Sequence, residues 1–252
     1  MKLVTLTNKE LQQDLRDKDI RFLYPLKSFS VGYPQTYEIE EIDDFLLINR
    51  LLTDEELDTL EKLLKKSHIK GIVFDDLGVL EVIKDLDIEK VLLLDHYATN
   101  VRSINYYLDY CDSVVVSSDL NIDEIEYISK NAKKEVIVMV FGLKRLMYSR
   151  RYLLTNYALH HKIELKTKIK SVINDKGFLI LEDDYGTCFY AGKYYNALEL
   201  LSLKNIKYFW YDCIDLDDEE IKRIIKDKAP TIETETLFLH EVATYKIKGG
   251  EK

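Results

Sequence analysis

Acidic, histidine and serine side chains follow several short apolar runs of the sequence, and these residue types can transfer protons or bind cations. The groups are Asp75-Asp76, Asp95-His96 and Ser117-Ser118-Asp119. Asp75 and Asp76 suit an acid–base pair or ligands of a hard cation, or one of them caps the following helix. Asp95 and His96 suit an acid–base couple, although neighbours on a strand point to opposite faces. We take Asp75, Asp76, Asp95 and His96 as the candidate catalytic residues.

The serine group has a weaker case for catalysis. No GxSxG turn surrounds Ser117 and Ser118, so we favour helix capping over a nucleophile for Ser117-Ser118-Asp119. The sequence also has no HExxH pair. These groups therefore indicate where a site lies without defining a reaction.

The segment from Lys144 to Lys170 is strongly basic in a chain of net charge −9. Eight of its side chains are Lys or Arg, against the single acid Glu164, and tyrosines and histidines are interleaved. Arginine forks and stacking aromatic rings are what RNA contact requires, whereas a solvated basic face is the structural alternative. The candidate substrate- or RNA-binding residues are Asn100, Lys144, Arg145, Tyr148, Ser149, Arg150, Arg151, Asn156 and Tyr157.

The elements that would position these residues alternate between strands and helices. The predicted strands are Ile20–Leu23, Phe45–Ile48, Gly71–Phe74, Val91–Leu94, Ser113–Val116, Val136–Val140 and Ile206–Tyr211. Thr53 and Glu56 form a capping box that opens the first predicted helix. The other predicted helices are Leu77–Lys84, Val101–Tyr110, Ile122–Ser129, part of Leu146–Tyr157, Tyr194–Leu203 and Asp217–Lys226.

Two further segments read as strands. Ile169–Ile173 and Phe178–Leu181 predict a β-hairpin insertion near 169–181, and Thr236–Lys248 predicts one more strand. Repeated strand–helix units indicate parallel strands with crossover helices. Two architectures fit, an open doubly wound sheet and a (β/α) barrel that is complete, incomplete or distorted. We favour the barrel because no GxGxxG or Walker motif opens a helix. In a parallel barrel the site lies at the carboxyl ends of the strands.

The composition favours a folded, single-domain protein. The 252 residues are 46% hydrophobic and include only 9 Gly and 3 Pro, so we expect one folded domain over 1–252. The apolar runs are too short to span a bilayer and the N-terminus has no apolar signal region, so we expect a cytoplasmic protein with no membrane partner. Cys111, Cys188 and Cys213 are too scattered for a CxxC metal site.

The block Gly142–Tyr157 resembles the signature of the U32 "peptidase" or collagenase-like family. Aligned on Gly142 and Ser149, the two family cysteines of that signature fall on Arg145 and Tyr152, and the second cysteine pair should lie near Asn156–Lys162. Weaker similarity covers YPLKSFSVG, GIVFDDLGVL and the Thr99-Asn100 helix entry. The chain is similar to a short, cysteine-less subgroup with Ser-Arg-Arg-x-Leu-Leu in place of the cysteines.

The resemblance implies a TIM-barrel-like fold and a link to hydroxylation. Members with four cysteines are similar to iron–sulfur proteins that hydroxylate RNA bases or ubiquinone precursors, and some work as pairs of unlike paralogues. Because Arg145 and Tyr152 cannot replace cluster thiolates, we expect no iron–sulfur cluster in this chain. We therefore expect an accessory subunit in tRNA wobble-uridine 5-hydroxylation, with a Cys-bearing U32 paralogue and tRNA as partners. The alternatives are a U32 hydrolase or peptidase and a non-catalytic small-molecule-binding barrel, so the chain's own catalysis stays open.

Overall fold

A computed structural model describes residues 1–6, 8–94, 96–173 and 176–241. The strands are β1 Lys2–Thr5, β2 Ile20–Pro25, β3 Phe45–Ile48, β4 Gly71–Phe74, β5 Glu89–Leu93, β6 Ser113–Val116, β7 Val136–Gly142, β8 Arg145–Ser149, β9 Lys168–Ile173, β10 Lys176–Asp183, β11 Gly186–Ala191, β12 Tyr194–Asn196, β13 Ile206–Asp212 and β14 Thr234–Glu235. The helices are α1 Lys9–Leu15, α2 Asp54–Leu64, α3 Leu77–Ile83, α4 Val101–Tyr107, α5 Ile122–Asn131, α6 Leu153–His161 and α7 Asp218–Ile225. Short 3-10 turns lie at Ile39–Glu41 and Leu198–Ser202. In the described part of the chain, no helix is both long and apolar enough to cross a bilayer.

Eight parallel strands close into a barrel. Strands β1 to β7 pair in sequence order, and β13 closes the ring because it pairs with both β1 and β7. Val4 lies opposite Tyr211 on one side of β13, and Met139 lies opposite Trp210 on the other. The predicted (β/α) barrel is therefore confirmed and complete, and the open doubly wound sheet was wrong.

The apolar runs form these strands because both faces of each strand are covered. Every residue of β3, β4, β6 and β7 is buried, as expected for parallel strands between a filled barrel interior and an outer layer of helices. The helices begin where the sequence supplies caps. The predicted capping box is present, since Thr53 N donates to Glu56 Oε2 at 2.8 Å and Glu56 N donates to Thr53 Oγ1 at 3.3 Å.

Residues 143–205 form a long insertion between β7 and β13. Four of its strands make an antiparallel sheet in the order β8-β11-β10-β9, which we call the insertion sheet. The predicted hairpin is confirmed as β9 and β10, although its turn residues 174–175 lie outside the described part of the chain. The insertion sheet begins with Arg145, three residues beyond the end of β7 at Gly142. It therefore starts at the carboxyl-terminal mouth of the barrel.

The insertion contains the one predicted helix that was wrong among the described residues. Tyr194–Leu203 is a short strand followed by a 3-10 turn. The prediction of a helix in part of Leu146–Tyr157 is confirmed, because α6 begins at Leu153, although 145–149 form strand β8. No element predicted from the sequence covers β1, α1, β11 or β14. Of the predicted tail strand, residues 236–241 are not a strand, whereas 242–248 lie outside the described residues.

Candidate functional site

The barrel mouth holds a small cavity that the insertion sheet covers. Its volume is about 30 Å³, enough for one or two water molecules. Its walls come from the ends of the barrel strands, from the loops that follow them and from β8 and β11. The lining residues are Tyr33, Asn49, Leu93, Val115, Val116, Ser118, Met139, Leu143, Lys144, Arg145, Tyr190, Trp210 and Asp212.

Arg145 and Asp75 form an ion pair at this cavity. Arg145 Nη2 donates to Asp75 Oδ2 at 2.8 Å, and Nη1 donates to the Asn49 carbonyl at 2.9 Å. The two charged side chains are only 20% and 17% exposed. Burial alone would lower the pKa of Arg145, but the charge and hydrogen bond of Asp75 outweigh it and raise that pKa. Arg145 is therefore a permanent cation, and both of its Nη groups are hydrogen-bonded within the chain.

Tyr33 and Tyr190 complete the cover over the cavity. Tyr33 Oη donates to Asp212 Oδ2 at 3.1 Å, and Tyr190 Oη donates to the Gly32 carbonyl at 3.0 Å. Burial raises the pKa of both phenols well above the ordinary value, so both remain proton donors. Gly32 has φ +81°, and a Cβ there would lie 2.2 Å from Tyr190 Oη. Only glycine allows this close approach of the 30–33 loop to β11.

A second charged group lies on the β6 and β7 side of the mouth. The ammonium of Lys144, which is buried, contacts Asp119 Oδ1, and Asp119 Oδ2 lies 3.0 Å from His96 Nδ1. Burial would raise the pKa of Asp119, but the bonds and charges of Lys144 and His96 hold it below the ordinary value. Asp119 is therefore ionised at neutral pH and orients the His96 ring. The neighbouring Ser118 Oγ is buried and has no hydrogen-bond partner among the described residues.

The three candidate catalytic residues that the structure describes have separate partners. Asp75 pairs with Arg145, while Asp76 caps α3 by accepting from Gly78 N at 2.8 Å and also accepts from Leu52 N at 2.9 Å. His96 pairs with Asp119, and Asp95 lies outside the described residues. Within the described ranges, no group of three or more His, Cys, Asp or Glu side chains is arranged to hold a metal ion.

The candidate binding residues separate into an inner and an outer group. Lys144 and Arg145 point inward and are ion-paired, and Asn100 caps α4 by accepting from Ser103 N at 2.9 Å. Tyr148 donates from Oη to the Tyr185 carbonyl at 3.1 Å, and Ser149 Oγ accepts from Arg151 N at 3.2 Å. The exposed members are Asn100, Arg150, Arg151, Asn156 and Tyr157. Arg150 and Arg151 lie in the turn between β8 and α6 rather than on a helix.

Glu182 fixes the position of α6, although no sequence pattern marks this residue. Its carboxylate lies at the helix N-terminus and accepts from Leu154 N at 2.7 Å and Thr155 N at 2.9 Å. The hydroxyls of Thr155 and Thr187 bond to the same carboxylate at 2.5 and 2.7 Å. Burial would raise the pKa of Glu182, but these bonds lower it. An anion that pairs with the helix N–H groups and dipole therefore ties α6 to the insertion sheet.

Several other residues of the mouth were also missed. Asn49 follows β3 directly, so the strand-end rule that selected Asp75 would have selected it too. Tyr33 and Tyr190 carry no comparable signal because they lie in a long loop and on an insertion strand.

A family model described as Peptidase family U32 matches residues 38–165. This range is just over half of the chain and runs from before β3 to beyond α6. The chain belongs to peptidase family U32. No curated protein and no solved structure matches it. The match includes Arg145 and Tyr152, where the resemblance placed two family cysteines.

The residues of this U32 protein do not fit an iron–sulfur cluster. Arg145 is bonded to Asp75, and Tyr152 is 46% exposed and donates to the Asp184 carbonyl at 2.7 Å. All three cysteines are buried, and burial raises the pKa of Cys111 to about 11 and of Cys188 to about 12. Burial also raises the pKa of Cys213. Cys111 precedes β6 whereas Cys213 follows β13, so these two lie at opposite ends of the barrel. Cluster ligands are thiolates, which these environments disfavour.

Proposed function

We propose that this chain is the accessory, non-catalytic subunit of a two-chain U32 enzyme that hydroxylates the wobble uridine of tRNA. A Cys-bearing U32 paralogue would supply the catalytic centre. The observation that carries the proposal is the filled barrel mouth. The cavity there is about 30 Å³ and Arg145 occupies a family cysteine position with its own counter-ion, so a nucleobase has no room beside it.

The outer surface of the insertion supports the RNA part of the proposal. Arg150 and Arg151 are exposed beside the exposed ring of Tyr152, in a chain whose net charge is −9. Acidic surface elsewhere repels phosphate, so RNA contact should concentrate at this turn and weaken steeply with salt. Arginine guanidinium groups bind phosphate through bidentate hydrogen bonds, and an exposed tyrosine ring can stack on a base.

The test is the double charge reversal Arg150→Glu/Arg151→Glu in a strain that carries only this variant. We expect the variant to lose 5-hydroxyuridine from cellular tRNA, measured by mass spectrometry of nucleosides. Exposed charges contribute about 1 kcal/mol or less to stability, so the variant should fold normally.

The matched control is Lys62→Glu/Lys66→Glu, which changes the net charge equally at two exposed positions of α2 and the turn after it. The control strain should keep the modified base. Wild-type levels in the arginine variant would refute the role of this turn. Wild-type levels after deletion of the whole gene would refute the proposed function itself.

The hydrolase alternative has one observation in its favour, the His96–Asp119 pair. An ionised carboxylate that orients a histidine is a common general-base arrangement, and Ser117 Oγ lies 3.5 Å from Asp119 Oδ2. However, Asp75 and Asp76 are engaged by Arg145 and by the α3 N-terminus, so they do not join His96 at a shared site. The accessory role therefore has the stronger support.

A further inference from the structure

The insertion exposes an unusual amount of apolar surface. Seven of the exposed large apolar side chains fall within residues 146–165. They are Leu146, Met147, Tyr152, Tyr157, Leu159, Ile163 and Leu165. Single exposed apolar residues are ordinary, but a cluster of them marks a surface that another molecule covers.

The end of α6 brings part of this set into one patch. Lys162 ends the helix with φ 54°, and Ile163 N donates to the Ala158 carbonyl at 3.1 Å. This bond folds the chain back and holds Ile163 against the helical turn that carries Leu159. Leu159 is 72% exposed and Ile163 is 55% exposed. Both side chains are therefore presented to solvent from a fixed backbone.

An aromatic and basic margin borders the two aliphatic side chains. The rings of Tyr157 and His161, one turn apart on α6, have centroids 4.3 Å apart, and His160 packs edge-on against His161. Lys162 adds a fixed positive charge. We call the six residues Tyr157, Leu159, His160, His161, Lys162 and Ile163 the α6 patch.

Three kinds of molecule could cover the α6 patch: a second copy of this chain, RNA or a different protein. A second copy docked patch to patch would place two Lys162 ammonium groups against one another, which like-charge repulsion opposes. RNA would suit the Lys162 ammonium and the Tyr157 ring, but it has no apolar counterpart for Leu159 and Ile163. A protein with an apolar contact surface and a carboxylate rim complements every part of the patch.

We propose that the α6 patch is the docking site for a different protein subunit whose contact surface is apolar at its centre and acidic at its edge. This inference rests on the proposed function, which identifies that subunit as the Cys-bearing U32 paralogue. It assigns the partner to the C-terminal turn of α6 and leaves Arg150 and Arg151, at the other end of the helix, for RNA. Glu182 anchors the helix N-terminus, so both contacts are held by one rigid element.

The experiment uses the full chain and the Cys-bearing U32 chain encoded in the same genome, purified separately and titrated by calorimetry. We expect Leu159→Asp/Ile163→Asp to raise the Kd by about 30-fold or more, the effect of removing a hot spot. Tyr127→Glu, at an exposed aromatic position of α5, is the matched control and should bind like the wild type. Circular dichroism and the urea midpoint of each variant confirm folding before binding is compared. Binding of transcribed tRNA to this chain should be equal for the wild type and Leu159→Asp/Ile163→Asp.

The possible outcomes separate the docking site from the function. If Leu159→Asp/Ile163→Asp binds the paralogue as tightly as the wild type, the docking site is wrong while the proposed function stands. If that variant instead loses tRNA binding, the α6 patch is an RNA surface and the inference is overturned. A wild-type dimer that this variant converts to a monomer would assign the patch to a second copy and also overturn it. Failure of the wild-type chain to bind the paralogue at all would overturn both proposals.

Discussion

Replacing Asp75 with asparagine should destabilise the protein, because it leaves the Arg145 guanidinium buried without its counter-ion. Nη2 and Oδ2 are 2.8 Å apart, and both side chains are about four-fifths buried. Breaking a fully buried pair costs about 3–5 kcal/mol, and a hydrogen bond to a charged group contributes about 1.5–3 kcal/mol. Because some exposure remains and the asparagine carbonyl still accepts a bond, we expect a loss of about 2–3 kcal/mol for Asp75→Asn.

The partner substitution Arg145→Met should cost about 3–4 kcal/mol, since it also removes the bond to the Asn49 carbonyl and leaves Asp75 unpaired. The double variant removes both charges, so its loss should be smaller than the sum of the single losses by about 2 kcal/mol. Urea unfolding at pH 7 measures all four proteins, and equal slopes confirm that the transitions are comparable.

The control is the exposed Lys133–Asp109 pair, whose charged atoms are 2.7 Å apart and whose side chains are 52% and 55% exposed. Its coupling energy from the same cycle of alanine variants should be below about 1 kcal/mol. A coupling for Asp75 and Arg145 that is no larger than this control would refute the argument that the pair is buried and structural.

The stability lost in Arg145→Met should depend on pH. Burial raises the pKa of Asp75, and the Arg145 charge partly offsets that rise. Arg145→Met removes the offset, so in the folded variant Asp75 holds its proton to a higher pH than in the unfolded chain. Above the ordinary value of 3.8, stability therefore falls as pH rises through the folded pKa. The cost of Arg145→Met should be smaller at pH 4 than at pH 7, and an equal cost at both would contradict this account.

Two further predictions concern the cofactor and α6. Protein purified without oxygen should carry no stoichiometric iron or sulfide in chemical assays. The reason is that Arg145 is ion-paired and the three thiols are buried, with raised pKa values. Near-stoichiometric iron would show that the cysteines converge. Glu182→Gln should lower the unfolding free energy by about 1–3 kcal/mol at pH 7, since a charged acceptor of four hydrogen bonds becomes neutral. Because the folded-state pKa of Glu182 is lowered, this difference should shrink as pH falls below 4.5, and a difference that persists at low pH would show that charge is not its cause.

The barrel was predictable from sequence because its strands are buried on both faces. A run such as Val114, Val115 and Val116 has no polar break, and the strands β3 to β6 each precede a capped helix. The insertion was harder because its first strand, β8, is only partly buried, with Leu146 and Met147 exposed. Tyr194–Leu203 has the apolar spacing of a helix, but Tyr195 and Asn196 pair with β7 and override that local preference.

The site was predictable only in part. The strand-end rule found Asp75 and His96, and the helix-cap alternative was right for Asp76. It also selected Asp119, the partner of His96, but it could not supply Arg145, which lies 70 residues from Asp75 in sequence. The Arg145 contact depends on how the insertion sheet folds over the mouth. The charges of the basic segment do not show which of its cations are internal, so the segment appeared uniform in sequence. In the structure, Lys144 and Arg145 are buried or ion-paired, whereas Arg150 and Arg151 are exposed.

The contacts between the insertion and the barrel determine what a partner on α6 can do. Gly32 N donates to Asp183 Oδ2 at 3.0 Å, and Tyr185 Oη donates to Ser28 Oγ at 2.9 Å. Together with the Arg145 bonds, they connect β8, β10 and the β10–β11 turn to the loops after β2, β3 and β4. Several bonds at separate points resist rotation as well as separation, so the insertion and the mouth should move together. A subunit docked on the end of α6 would then keep a fixed distance from Arg150 and Arg151, which is what presenting one nucleotide of a bound RNA to a second active site requires.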